Sequence, residues 1–297
     1  MDLSQAIPQK GGGISMKKGW KVFWIVSAIL LALGFVCCIA SVALGVTTEM
    51  IESRLPDGVH LVYDNPDHED DEESSGTTLE GNSFQSFDGI REIDMAVGAG
   101  NVEIVSAPEG TGEVTVKTES VDKRLKLQCY MDGDELKIHT RKELSGLTDI
   151  KEGKIQISIP SDCVLGDVSI DVGAGKLYVE KILADYIGIS VGAGEAKLAQ
   201  FAVKELSMEC GAGSIEASGE VREEADIECG MGEINYTAFG EEMDYNYGIS
   251  CGIGEVVLGS KRFSGLGREA DISNGASKNM FIECGIGSVA VNFSEGL

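Results

Sequence analysis

Basic residues, histidines and prolines are all scarce in this sequence, and each shortage removes a class of fold or function. Lys and Arg number 24 against 49 Asp and Glu, a formal charge of -25 at pH 7 over 297 residues. A surface this acidic repels phosphate, so binding of the folded part to nucleic acid or to an anionic lipid surface is excluded. The three histidines, His60, His68 and His139, all precede the regular part of the chain described below. Cys/His metal sites and His-dependent catalysis are therefore not expected there. Proline occurs only 5 times while glycine occurs 39 times, without an every-third-residue period. That excludes collagen and leaves the glycines to serve turns between ordered pieces. A disulfide framework is also lacking. Of eight cysteines, Cys37 and Cys38 fall in an apolar run, and Cys210, Cys229, Cys251 and Cys284 recur at a single repeat position.

What the sequence does have is a recurring Gly-X-Gly. The pairs are Gly98 and Gly100, Gly173 and Gly175, Gly192 and Gly194, Gly211 and Gly213, Gly230 and Gly232, Gly252 and Gly254, and Gly285 and Gly287. Their first glycines are 75, 19, 19, 19, 22 and 33 residues apart. Alternating apolar and polar residues flank each copy, as in Ile170-Asp171-Val172 before Gly173 and Lys176-Leu177-Tyr178-Val179 after Gly175. Period two predicts strands with one buried face. Nineteen extended residues have a contour of ~63 Å, which suits one coil of a β-solenoid with two or three short strands and glycine corners. The expected fold is all-β: a parallel β-solenoid, or β-helix-like repeat domain, of 19-residue period.

Stacked coils bring each column of the repeat into register. Val97, Val172, Val191, Cys210, Cys229, Cys251 and Cys284 then form a buried column, and the glycines are corners that need positive φ or close backbone approach. Cysteine in place of valine reads as a small buried hydrophobe, not as a bridge or a metal ligand. Asp171, Ser190, Glu209, Glu228, Ser250 and Glu283 should share one outer face, and Lys176, Glu195, Ser214, Glu233, Glu255 and Ser288 another. Phosphate binding is not expected at these glycines, because no third glycine and no helix follow. The calcium-binding nonapeptide needs an aspartate after its second glycine; here Lys, Glu and Ser stand there. No cofactor and no metal are expected, and no catalytic residue is identified.

The remaining regions set the domain plan. Residues 1–21 carry four Lys and form a cytoplasmic tail, while 22–46 hold no charge and read as a transmembrane helix. That run exceeds the 7–15-residue core of a cleavable signal peptide, the competing reading, for which Ala43-Leu44-Gly45 would be the cleavage site. Residues 47–89 carry twelve acids against Arg54 and read as a disordered acidic linker. Residues 90–169 form the N-terminal β part, either coils that lost the glycine signature or an antiparallel capping meander. Residues 170–297 form the regular solenoid. Ala270-Asp271-Ile272 repeats Ala225-Asp226-Ile227 and suggests a further degenerate copy.

The isoleucine-rich strand ending in Pro160, followed by Val168-Ser169-Ile170-Asp171-Val172-Gly173-Ala174-Gly175 and its successors, resembles the bacterial β-strand-repeat domains called "putative adhesins". It is similar also to the toast-rack domains of envelope-stress membrane proteins. The resemblance covers roughly 90–297 and implies an extracytoplasmic solenoid behind a membrane helix, with no family catalytic residue to carry over. The expectation is thus a single-pass cell-membrane protein, N-terminus inside, whose outer domain binds, scaffolds or senses without catalysis. Expected partners are the membrane through residues 22–46, a protein or envelope polymer, and further copies meeting end to end through an open C-terminal coil edge. The alternatives are a carbohydrate-active solenoid enzyme and a self-assembling envelope element.

Overall fold

The computed structural model describes residues 77–108, 110–140 and 153–296. The tail, the apolar run 22–46 and the acidic stretch to residue 76 lie outside them, and no helix among the described residues is long and apolar enough to cross a membrane. The described part is all-β. In chain order the strands are β1 (Thr77–Leu79), β2 (Gly81–Asp88), β3 (Glu92–Val97), β4 (Asn101–Ala107), β5 (Glu113–Val121), β6 (Leu127–Asp132), β7 (Glu135–Thr140) and β8 (Lys154–Pro160). They continue as β9 (Leu165–Val172), β10 (Lys176–Val179), β11 (Ile182–Val191), β12 (Glu195–Cys210), β13 (Ser214–Cys229) and β14 (Glu233–Phe239). The last are β15 (Tyr245–Cys251), β16 (Glu255–Leu258), β17 (Lys261–Ser264), β18 (Arg268–Ile272), β19 (Lys278–Cys284) and β20 (Ser288–Ser294). The linker expected through residue 89 therefore ends sooner: alternating Ser83, Gln85 and Phe87 turn inward on β2, which pairs with β5.

Two walls meet at the glycine corners. One, the A wall, contains β7, β3, β9, β11, the second halves of β12 and β13, and β19 and β15, all paired in parallel. The other, the B wall, contains β8, β4, β10, the first halves of β12 and β13, and β14, β20 and β16, again in parallel. Pairs such as Lys176↔Glu195 and Glu195↔Ser214 are one 19-residue period apart, so the period is the length of one coil. Between the walls lies the core, a column of Ile, Val, Leu and Met from both sides that stacks layer on layer.

Layer order departs from chain order at both ends of this stack. At the beginning, β7 and β8 lie outside β3 and β4, and are covered in turn by β6 and β5, then by β1 and β2, all antiparallel. The 75-residue gap thus contains one parallel coil and an antiparallel cap. At the other end, β19 pairs with both β13 and β15, and β20 with both β14 and β16. The last coil of the chain is therefore inserted between its two predecessors. The C-terminal edge expected to be open is buried in the stack, and the end layer is made of β17, antiparallel to β16, and β18, antiparallel to β15. Ala270-Asp271-Ile272 belongs to that antiparallel strand and is not a further coil. Its charged residues Lys261, Arg262, Arg268, Glu269 and Asp271 blunt the edge against further pairing.

Candidate functional site

The buried column lies where the alternation puts it. Val97, Val172, Val191, Cys210, Cys229, Cys284 and Cys251 are paired in that order through six consecutive layer contacts, each residue 1% to 3% exposed. The four cysteines are free thiols, as are Cys129 and Cys163. Burial pushes the Cys129 thiol up to about 12. Within the ladder the Cys229 thiol is held up first by its hydrogen bond to Cys284 and then by burial, while Cys284 is lowered to about 7 by that same bond. Wholly enclosed sulfur of this kind packs; it offers no approach to a substrate.

The corners stack in layer order. The first glycines run Gly98, Gly173, Gly192, Gly211, Gly230, Gly285 and Gly252, and the second glycines run Gly100, Gly175, Gly194, Gly213, Gly232, Gly287 and Gly254. Hydrogen bonds tie them, such as Gly192 N to Val172 O (2.9 Å) and Gly285 N to Cys229 O (2.7 Å). Of the two reasons for glycine expected from the sequence, positive φ is the wrong one for all corners but Gly100, whose φ is +129°. From Gly173 onward close approach is what demands glycine, whereas a Cβ at Gly98 would meet only Thr140 Oγ1, at 3.6 Å. A Cβ at Gly192 would lie 2.8 Å from Gly173 O, and one at Gly173 2.6 Å from Gly98 O.

Gly232, Gly287 and Gly254 depart furthest from the expected corner. None of the three has a positive φ. A Cβ on each would meet not only the backbone of the layer beneath but also the thiol of the cysteine column: Cys210 Sγ at 2.5 Å from Gly232, Cys229 Sγ at 2.8 Å from Gly287 and Cys284 Sγ at 2.7 Å from Gly254. The glycine corner and the buried column, read as separate features of the repeat, are thus one packing unit in these layers. At each corner from Gly173 onward the N–H groups of the first glycine, the middle residue and the residue after the second glycine bond to the neighbouring layer.

Chemistry is confined to the outer faces, and the two walls differ. On the B wall the column Asn101, Lys176, Glu195, Ser214, Glu233, Ser288, Glu255 runs beside Glu103, Tyr178, Lys197 and Glu216. Ion pairs neutralise it: Lys154–Glu103 at 2.7 Å, Lys176–Glu195 at 2.9 Å, Lys197–Glu216 at 2.8 Å and Arg262–Glu255 at 2.6 Å. The first three of these pairs, with Asn101, Tyr178 and Ser214, line a shallow hollow of about 440 Å³.

The A wall presents three columns. One carries Glu135 beside Glu92, then Asp167, Tyr186, Glu205 and Glu224; another carries Asp171, Ser190, Glu209, Glu228, Glu283 and Ser250. Between them stand Asp94, Ser169, Ser207 and Asp226. Among the described residues its basic partners are Lys137, 3.4 Å from Glu135, and His139, whose Nε2 lies 3.0 Å from Asp94 Oδ2, at its beginning, and Lys204, 2.8 Å from Asp185, at its margin further along. Glu205, Glu209, Glu224, Asp226, Glu228 and Glu283 have no ion pair among the described residues. Partial burial, then Asp226, Glu209 and Glu283, raise the Glu228 carboxyl above its ordinary value; burial, then Glu92, Glu135 and Asp94, do the same to Asp167. Among the described residues no three His, Cys, Asp or Glu side chains converge as a metal ion requires.

Both outer columns named from the sequence are thus on the faces expected. The sequence reading missed the asymmetry between them, because ion pairing depends on neighbours a full coil away. It also passed over the middle residue of each Gly-X-Gly, which points outward and grows along the stack from Ala to Met and Ile.

The family model described as Toastrack DUF4097 matches residues 90–247. No curated protein matches the chain. Among solved structures, one described as a "putative cell adhesion protein" from Clostridium sporogenes shares 15% identity over 72% of this chain and 100% of its own, with a TM-score of 0.41. A "putative adhesin" from Bacteroides fragilis shares 12% over 72% of this chain and 98% of its own, TM-score 0.35. A "putative lipid binding protein" from Parabacteroides distasonis shares 15% over 72% of this chain and 98% of its own, TM-score 0.31.

Proposed function

We propose, for a chain that belongs to the Toastrack DUF4097 family, that it is a membrane-anchored β-solenoid binding or sensing module of the cell envelope, without catalysis, whose working surface is the outer face of the A wall. The observation that carries this reading is the contrast between the walls. On the B wall Glu103, Glu195, Glu216 and Glu255 each have an ion-pair partner in a neighbouring layer and Glu233 alone of those columns has none, whereas six carboxylates of the A wall's middle layers have no such partner among the described residues. A cationic partner laid on this face would relieve that repulsion. The acids are spread evenly along columns and not gathered beside an Arg in one groove, which supports binding over carbohydrate hydrolysis or elimination.

The anchor in this reading is the uncharged run 22–46, and the four Lys before it keep the N-terminus inside, so the domain faces outward. Protease added to intact cells expressing the full chain should remove the domain while sparing the N-terminal tail. Complete protection of the domain would overturn the outward placement.

A further inference from the structure

Exposed large apolar side chains are few on this domain, and four of them lie in one line. The middle residues of successive corners run Ala99, Ala174, Ala193, Ala212, then Met231, Ile286 and Ile253, in the order of the layers. Met231 N donates to Gly211 O at 2.7 Å, Ile286 N to Gly230 O at 2.7 Å and Ile253 N to Gly285 O at 2.8 Å, so these three occupy consecutive rungs. Their exposures are 41%, 49% and 67%, and Leu266, 86% exposed, extends the line because Gly267 N bonds to Gly252 O at 2.9 Å in the next layer. In chain order Ile253 precedes Ile286 by 33 residues with Leu266 between; insertion of the last coil is what makes a continuous ridge of them. Nothing in the corner geometry calls for large residues there, as four earlier corners carry Ala.

Acids border the ridge. Glu228 and Glu283 stand on its A-wall side, Glu233 and Glu255 on its B-wall side, and of these only Glu255 has an ion-pair partner among the described residues, Arg262. An apolar stripe between two rows of carboxylates cannot meet a second copy of itself without setting like charges together, and an anionic lipid surface meets the same objection. Its complement is an apolar stripe flanked by Lys or Arg. The rungs are spaced ~4.8 Å apart, close to the ~5.4 Å pitch of an α-helix, so a helix lying along the stack drifts only about 1 Å over three rungs while placing one apolar side chain per turn.

We infer that the ridge Met231, Ile286, Ile253 and Leu266 is the docking line for a cationic amphipathic helix of a partner protein or peptide, laid along the stack axis. The inference rests on the binding-module reading and names its partner class. Apolar contact supplies the anchor, and the flanking carboxylates select positive charge and speed encounter.

The test uses the full chain in phosphatidylcholine nanodiscs and a fluorescein-labelled helical peptide with Leu at i, i+4 and i+7 flanked by Lys. Anisotropy should report binding that weakens at least tenfold in a Met231→Ala, Ile253→Ala, Ile286→Ala triple variant. That variant keeps the fold, since Ala is what the chain already carries at the same position of four corners, and circular dichroism checks it. Replacing Glu228 and Glu283 by Gln should weaken binding too and flatten its salt dependence. Equal binding by wild type and triple variant, or equal binding of a peptide with Glu in place of Lys, overturns the inference. So does a wild-type dimer in sedimentation that the triple variant loses, which would assign the ridge to a second copy. Co-flotation of the nanodisc-held wild type but not the nanodisc-held variant with added phosphatidylcholine vesicles would assign it to lipid and overturn it equally. Absence of peptide binding removes this partner and leaves the anchored placement to the protease experiment.

Discussion

At the scale of single residues, the glycine corners are a packing device more than a conformational one. A Cβ at Gly213 would fall well inside van der Waals contact with Gly194 O, and the atom it meets is backbone held by the layer's own hydrogen bonds. It cannot step aside as the tip of a flexible side chain would. Gly213→Ala is therefore expected to cost about 3 kcal/mol, the upper part of the overpacking range. Met231→Ala, beside the equivalent contact at Gly232, trims a side chain that is 41% exposed and meets no backbone clash, so it should cost clearly less, about 1 kcal/mol. Pulse proteolysis of the two variants in urea checks both, and equal midpoints would refute the close-approach account. The cysteine column follows the same logic of space. Thiol and isopropyl groups fill the same slot in adjacent layers, as Val191 pairs with Cys210, so the choice between them carries no chemistry.

At the scale of elements, the insertion of β19 and β20 is the feature that organises the end of the stack. The coil before it is longer by the three-residue turn Glu242–Asp244, at the place where the chain must climb two layers instead of one. One extra layer is ~4.8 Å, within the ~10 Å that three residues can span. The chain then folds back as β17 along β16 and β18 along β15, and returns into the slot it left. Coils β15 and β16 are held to the rest through β19 and β20. Deleting residues 278–297 should therefore release amide protection throughout β15 to β18 while β9 to β12 retain theirs, since each layer is stabilised by its neighbours. Hydrogen exchange reads this directly. Unchanged protection of β15 would mean that it pairs with β13 unaided and that the inserted coil is dispensable.

At the scale of the whole molecule, charge is what the fold concentrates. Asp167 and Glu228 both have carboxyls raised by partial burial and by neighbouring acids. A carboxyl raised in the folded state binds its proton more tightly there than in the unfolded chain. Its contribution to stability is present in full below the unfolded values of 3.8 and 4.5 and is lost as pH rises through the raised ones. Glu119 is shifted the opposite way by its hydrogen bond to Lys117, but on a fully exposed site where water screens the effect. The melting temperature should consequently rise as pH falls from neutrality toward those unfolded values. Glu228→Gln should raise it at pH 7 and shrink that dependence, and calorimetry across pH would show the reverse trend if the A wall were neutralised by partners within the chain.

Much of this was legible in the chain. Period two marked the strands, the 19-residue register marked one coil, and the Val and Cys positions marked the inward column, because each depends on residues close in sequence. Both outer columns followed from the same alternation. Other features depended on contacts between distant segments: the start of the domain at β1 and β2, the antiparallel caps, the inserted last coil, the ion pairing of one wall alone. The contact of Gly232, Gly287 and Gly254 with thiols one layer away belongs with these. Glycine spacing carries no record of which layer lies beside which, since every coil offers the same edge to every other. Only the packed stack decides that order, and with it the line formed by Met231, Ile286, Ile253 and Leu266.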